Sequence, residues 1–279
     1  MKWEGRAGSS NIEDRRGMGG RGLAVGGGLG GLVLVLLMSA LTGRSPTEFI
    51  NTSSSDDPGV RSGVPENDPQ YQFVSVVLKD TEDVWGQLFA KSGQSYEMPA
   101  LVLFDGATES ACGLGQSAMG PFYCPQDRKV YLDLSFFREL DERFGAPGDF
   151  ARAYVVAHEI GHHVQTVTGL SSRVRAASEQ AGRRGANALS VRQELQADCY
   201  AGVFGYYEAK RGVLDPGDAE EGLKAAAAIG DDRLQQQSQG RVVPESFTHG
   251  SSAQRVAWLR RGLESGRVDA CNTFEDGSR

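Results

Sequence analysis

Tyr154 to Val164 reads YVVAHEIGHHV, and the reading of this stretch decides both the fold and what the chain can bind. His158 and His162 stand four residues apart, so on a helix they project from one face, one turn above the other. Two neutral imidazoles so placed reach one metal ion, and Glu159, beside the first of them, can take a proton from a metal-bound water. The apolar neighbours Val155, Val156, Ala157 and Ile160 predict that this helix is buried. Gly161 costs about 1 kcal/mol of helix propensity, so its presence predicts a close approach to the backbone at that point. His163 lies about 100° around the helix from His162 and is predicted to face away from the ion.

A catalytic zinc takes three protein ligands and keeps one position open. No histidine follows this stretch until His249, which turns attention to carboxylates. Residues 192–200 read RQELQADCY and offer Glu194 and Asp198 four apart. Glu194 is expected to coordinate the ion. Asp198, one turn on, is expected to accept the free N–H of a ligand histidine and so to fix its tautomer. A carboxylate pair on a helix is ordinarily a solvated face, but Leu195, Ala197, Cys199, Ala201 and Val203 around this one predict burial. The H-E-x-x-H spacing is that of zinc peptidases. His249, in SFTHGSSAQR, has two readings. Thr248, Ser251 and Ser252 suit the start of a helix, whereas His249 or Arg255 could donate to the oxyanion of a tetrahedral intermediate. Tyr206 and Tyr207 are donors of the same kind, for which core packing is the simpler reading.

Outward from these motifs the pattern is α+β, mostly helical with a small sheet. Pro69 to Lys91 carries an approximate helical stripe of Phe73, Val76, Val77, Val84, Leu88 and Phe89. Ala100 to Phe104 and Lys129 to Leu134 read as strands. Ser135 is expected to cap a short helix ending near Phe144, and Asp149 the helix that carries both histidines. Further helices are expected over about 190–211, 216–230 and 251–263. The four cysteines, at 112, 124, 199 and 271, have no C-x-x-C spacing and allow three pairings. Cys112 and Cys124 flank a glycine-rich stretch that reads as a loop closed by a local bridge; Cys199 with Cys271 would then tie the C-terminus to a core helix.

At the other end, Gly22 to Gly43 runs 22 residues without a charge, against the roughly 20 needed to cross a bilayer as a helix. Lys2, Arg6, Arg15, Arg16 and Arg21 precede it, while only Arg44 and Arg61 follow closely, so the positive-inside bias predicts a cytoplasmic N-terminus. The expected organisation is a cytoplasmic segment at 1–21, a transmembrane helix at 22–43, a flexible tether at 44–68 and a zinc metallopeptidase domain at 69–279. On that expectation the protein sits in the cell membrane as a single-pass chain with its catalytic domain extracytoplasmic. A net charge of −7, with neither sign forming a long block, argues against nucleic acid as a partner.

HEIGHHVQ followed by ELQADCYAG resembles the gluzincin metallopeptidases, whose third ligand is a Glu in an E-x-x-x-D pattern on a later helix. More widely, the chain resembles the bacterial putative neutral zinc metallopeptidase family in its opening MKWEGR and NIEDRRG, in MGPFYCP, VYLDLSFF, FTHGSSAQR and in its closing CNTF. The resemblance implies a zincin-like domain with one zinc ion per chain, His158, His162 and Glu194 as ligands and Glu159 as base, hydrolysing an extended peptide or protein. It supplies no substrate. Two alternatives use the same residues: a zinc amidase acting on cell-wall peptide, and a metal-stabilised envelope binding or assembly protein without turnover. Glu159 favours an enzyme, because a structural zinc site closes its fourth position and needs no base.

Overall fold

A computed structural model describes residues 1–17 and 68–275. The expectation of a mostly helical α+β domain with a small sheet holds. In chain order the elements are β1 (Ile12–Asp14), α1 (Pro69–Lys91), β2 (Ala100–Phe104), β3 (Ala107–Ser110), β4 (Gly113–Gln116), β5 (Phe122–Cys124) and β6 (Lys129–Asp133). There follow α2 (Ser135–Glu142), α3 (Asp149–Val167), α4 (Leu170–Gln180), α5 (Arg183–Lys210), α6 (Asp218–Ala228), α7 (Asp231–Gln239) and α8 (Ser252–Ser265).

Helix α1 begins where its sequence says it should: Pro69 occupies the first turn and the Asp68 carboxylate accepts the backbone N–H groups of Gln70 and Tyr71. The four-stranded sheet runs β1-β2-β6-β5, with β1, β2 and β6 parallel and β5 antiparallel at one edge. Period-2 alternation divides its residues. Leu101, Leu103, Val130 and Leu132 face the helical core, while Val102, Phe104, Cys124 and Tyr131 form a second apolar cluster on the opposite face. Phe122 stacks on Tyr131 there, and the β3-β4 hairpin closes over it: a Cβ on Gly115 would lie 2.5 Å from the Phe122 ring.

Two cap assignments change. Ser135 does not cap α2; its own N–H is held by the Asp133 carboxylate at 2.8 Å. Asp149 is the first residue of α3, with Gly148 before it, and its carboxylate accepts the Trp3 indole N–H at 3.0 Å. Helix α5 starts seven residues earlier than expected, because RRGANALS continues the helix without adding an apolar stripe. Both cysteine bridges form as read, Cys112 with Cys124 and Cys199 with Cys271.

The topology requires a larger correction. The first 17 residues are built into the domain that was expected across a membrane from them. Ile12, Glu13 and Asp14 pair in register with Leu101, Val102 and Leu103. Trp3 packs edge-on against Phe73, Arg6 binds the buried Asp80 carboxylate through both terminal nitrogens, and Arg16 pairs with Asp68 at 2.6 Å. The expected span at 22–43 and nearly all of the tether at 44–68 lie outside the described residues. Among the described residues, no helix is long and apolar enough to cross a membrane. A single crossing at 22–43 would put Arg16 and Asp68 on opposite sides of about 30 Å of hydrocarbon, which their ion pair forbids. The single-pass, N-terminus-inside localisation is therefore withdrawn.

Helices α5 and α8 meet more closely than any side chain would allow. A Cβ on Gly202 would lie 2.2 Å from the Leu259 carbonyl oxygen, and one on Gly262 would lie 2.0 Å from that of Cys199. Both obstacles are backbone, so neither helix can give way locally. Gly202→Ala is therefore expected to cost about 1–3 kcal/mol or more in folding stability. A denaturant titration of the purified variant checks this, and a wild-type midpoint would show that the two helices are not in backbone contact.

Candidate metal centre

Helices α3 and α5 cross where glycine permits it. The backbone of Ala197 would lie 3.0–3.1 Å from a Cβ on Gly161, which is the close approach that the glycine inside the histidine motif predicted. This contact faces the histidines of α3 towards the carboxylates of α5. His158, His162 and Glu194 each offer a ligand atom, and the three atoms lie within 4.8 Å of one another. His158 Nε2 lies 3.1 Å from Glu194 Oε2, and His162 Nε2 lies 3.4 Å from Oε1.

The other nitrogen of each ring is already engaged. His158 Nδ1 lies 2.9 Å from Asp198 Oδ1, and His162 Nδ1 lies 3.0 Å from the Gln165 side-chain oxygen. Both partners accept hydrogen bonds, so each neutral imidazole carries its proton on Nδ1 and leaves Nε2 bare towards Glu194. Gln165 is itself held, donating to the Gln193 carbonyl at 2.7 Å and to the Gln196 side chain at 3.1 Å.

Asp198 is fully buried and accepts from two other helices, α3 and α8. Tyr154 Oη donates to its Oδ1 at 2.6 Å, as does Arg255 Nη2 at 2.9 Å; Arg255 Nε donates to Oδ2 at 2.9 Å. Burial alone would raise the Asp198 pKa, but Arg255 and then His158 outweigh it and lower the carboxyl to about 2. Burial likewise opposes charge on His158, yet Asp198 and Glu194 raise its pKa to about 10. For His162, burial is outweighed by Glu194, and its pKa also rises. The carboxylates thus favour positive charge at the place where the two Nε2 atoms face Glu194. Two imidazole nitrogens and one carboxylate oxygen are a donor set suited to zinc, which would replace those protons on binding. The residues fit the ion.

Glu159 and His249 line the same cleft, of about 1010 Å³, together with the three candidate ligands. His249 is placed by Asp231, whose Oδ2 accepts the backbone N–H groups of Thr248, His249 and Gly250 at 2.7–3.1 Å. The Asp231 Oδ1 lies 3.3 Å from His249 Nδ1, and this contact, against burial, raises the His249 pKa. Arg255 is committed elsewhere: all three of its nitrogens bond within the protein, to Asp198, Tyr154 and the Ile229 carbonyl. It supports the ligand shell from behind. Tyr206 and Tyr207 do not line the cleft; they pack against one another and beneath Lys210 and Lys91. His163 is fully buried on the far side of α3, where burial lowers its pKa. Sequence reasoning passed over Tyr154, Gln165 and Asp231. Tyr154 and Gln165 stand four residues before His158 and three after His162, on the ligand face of the helix, and that spacing was the available signal.

The sequence model of a family described as putative neutral zinc metallopeptidase matches residues 1–274. The uncharacterised protein YpfJ of Escherichia coli K12 is 51% identical over 283 residues, covering 98% of this chain and 99% of its own. The uncharacterised protein Rv2575 of Mycobacterium tuberculosis H37Rv is 47% identical over 190 residues, covering 64% of this chain and 63% of its own. No solved structure matches.

Zinc titration of purified variants separates the two carboxylates of α5. Glu194→Ala removes a donor atom and is expected to abolish tight binding. Asp198→Asn leaves all three donors and disturbs one imidazole's orientation, so affinity is expected to fall about 10–100-fold. The reverse order would exchange their roles.

Proposed function

The chain belongs to the putative neutral zinc metallopeptidase family, and we propose that it is a zinc metalloendopeptidase of zincin-like fold, holding one zinc per chain through His158, His162 and Glu194. The observation that carries this reading is the convergence of His158 Nε2, His162 Nε2 and the Glu194 carboxylate beside Glu159 in an open cleft. A purely structural zinc would be enclosed by a fourth side chain and would need no neighbouring base. When bound, zinc supplies Lewis acidity to a water and to a peptide carbonyl.

The protein's own groups divide the remaining work. Glu159 takes the proton from the attacking water and delivers it to the leaving amine. His249, held by Asp231, donates to the carbonyl oxygen as it gains negative charge. Asp198 and Gln165 keep both ligand imidazoles in the tautomer that leaves Nε2 free. Strand β5 pairs only with β6 among the described residues, and Gly120 to Tyr123 line the cleft. An extended substrate is expected to add there as a further strand, its backbone supplying affinity irrespective of side chains. Phe136, Phe144, Met119 and Val174 give the cleft apolar walls beside it.

Glu159→Gln tests the mechanism. The variant is expected to keep its zinc and its fold, and to lose on the order of 10²–10⁴ in the rate of casein cleavage followed by mass spectrometry. Turnover at the wild-type rate would remove Glu159 from the mechanism.

A further inference from the structure

His163 has no place in the mechanism above, yet it is a polar side chain with no exposure to solvent. Consecutive residues on a helix diverge by about 100°, so when His162 faces Glu194 its neighbour faces the sheet. His163 Nε2 lies 2.6 Å from the backbone carbonyl oxygen of Glu97, which can only accept, so Nε2 carries the proton. Nδ1 is then bare and accepts from the Tyr123 hydroxyl at 3.1 Å. The rings of Tyr96 and Tyr123 stand edge-on to the imidazole, at interplanar angles of 78° and 72°.

Tyr123 is the middle residue of β5. Its two neighbours are secured on the opposite face of the sheet, Phe122 by stacking on Tyr131 and Cys124 by its bridge to Cys112. On the near face, Tyr123 is joined to His163, the residue that follows a candidate metal ligand in the chain. The strand that borders the cleft and the helix that carries the candidate ligands are thereby joined through His163, with Thr166 of the same helix also meeting the Tyr123 hydroxyl. An apolar residue would fill this space but would take the imidazole away from the Glu97 carbonyl and from the Tyr123 hydroxyl, which would keep only Thr166.

We infer that His163 is a positioning residue that holds edge strand β5 in register with the metal-bearing face of α3, so that an extended peptide paired with β5 presents its scissile bond to the site. The inference rests on the proposed reading of β5 as the substrate-binding edge. It concerns placement of the peptide, and it assigns His163 no contact with the reacting atoms.

The test uses the full chain carrying Glu159→Gln, so that binding is read without turnover, and fluorescein-labelled β-casein as an unstructured probe. Adding His163→Leu is expected to weaken casein binding by roughly 3–10-fold, the loss expected for one or two neutral hydrogen bonds, with zinc content retained and the thermal midpoint lowered but above the assay temperature. His163→Gln is expected to restore binding, because its amide can donate to Glu97 and accept from Tyr123. Unchanged affinity in the Leu variant, or a Gln variant no better than Leu, overturns the inference. If the Leu variant does not fold, Tyr123→Phe decides: weaker binding supports the inference and unchanged binding overturns it. Failure of the proposed function has a different signature. There the Glu159→Gln parent itself does not bind casein and the wild type does not cleave it, which would overturn the inference along with that reading.

Discussion

A buried carboxylate, Asp198, with no solvent exposure, is the constraint on which the rest of the structure depends. It receives Tyr154 and His158 from α3 and Arg255 from α8, while its own helix, α5, supplies Glu194 one turn earlier. Desolvating that charge is costly, and only a full set of donors offsets the cost. Removing Arg255 would leave the charge under-compensated, a defect of about 3–5 kcal/mol in comparable buried pairs. The ion pair therefore makes the arrangement of three helices specific, and it sets the His158 tautomer in the same act. The glycines at 161, 202 and 262 serve this constraint by letting the three helices approach to backbone contact. The Cys199–Cys271 bridge, one residue from Asp198, ties the C-terminal end of the domain to the same point.

Much of this was legible in the sequence, because the chemistry left few choices. Two histidines one turn apart around a glutamate, with a second helix offering Glu194 and Asp198 at the same spacing, could be placed before any fold was known. Gly161 announced the close approach, and the spacing of the cysteines suggested both bridges. The supporting residues were harder to find. Gln165 and Tyr154 share the ligand face of α3, but a glutamine and a tyrosine on a helix carry no signal of their own. Arg255 was considered as an oxyanion donor because its distance from Asp198 along the chain conceals their pairing. The region around Gly120 to Phe122 suggests an edge for an extended substrate, but the bounds of strand β5 are not legible, since three residues between a glycine-rich loop and a turn show no alternation.

The misreading of the N-terminus has a physical origin. Charge bias and an uncharged run of 22 residues are local features, and they are all that a topology rule weighs. What overrides them is non-local: a three-residue strand paired with β2, an indole bonded to Asp149 and a guanidinium paired with Asp68. Each is unremarkable in sequence. Arg6 and Arg16, counted as topological signals, are instead structural cations, the first beside Asp80 and Glu208 and the second beside Asp14 and Asp68. In that cluster burial and the neighbouring Asp80 raise the Glu208 carboxyl to about 7, while Arg211 and Arg6 act against the rise.

The central claim is that two imidazoles and a carboxylate, oriented by Asp198 and Gln165, form a zinc site. X-ray absorption at the zinc edge of the metal-loaded wild-type protein tests it most directly. One zinc per chain is expected, with multiple-scattering features of two imidazoles and the remaining scatterers at oxygen distances near 2.0–2.2 Å. A third imidazole, a sulfur neighbour, or the absence of stoichiometric zinc would contradict the account.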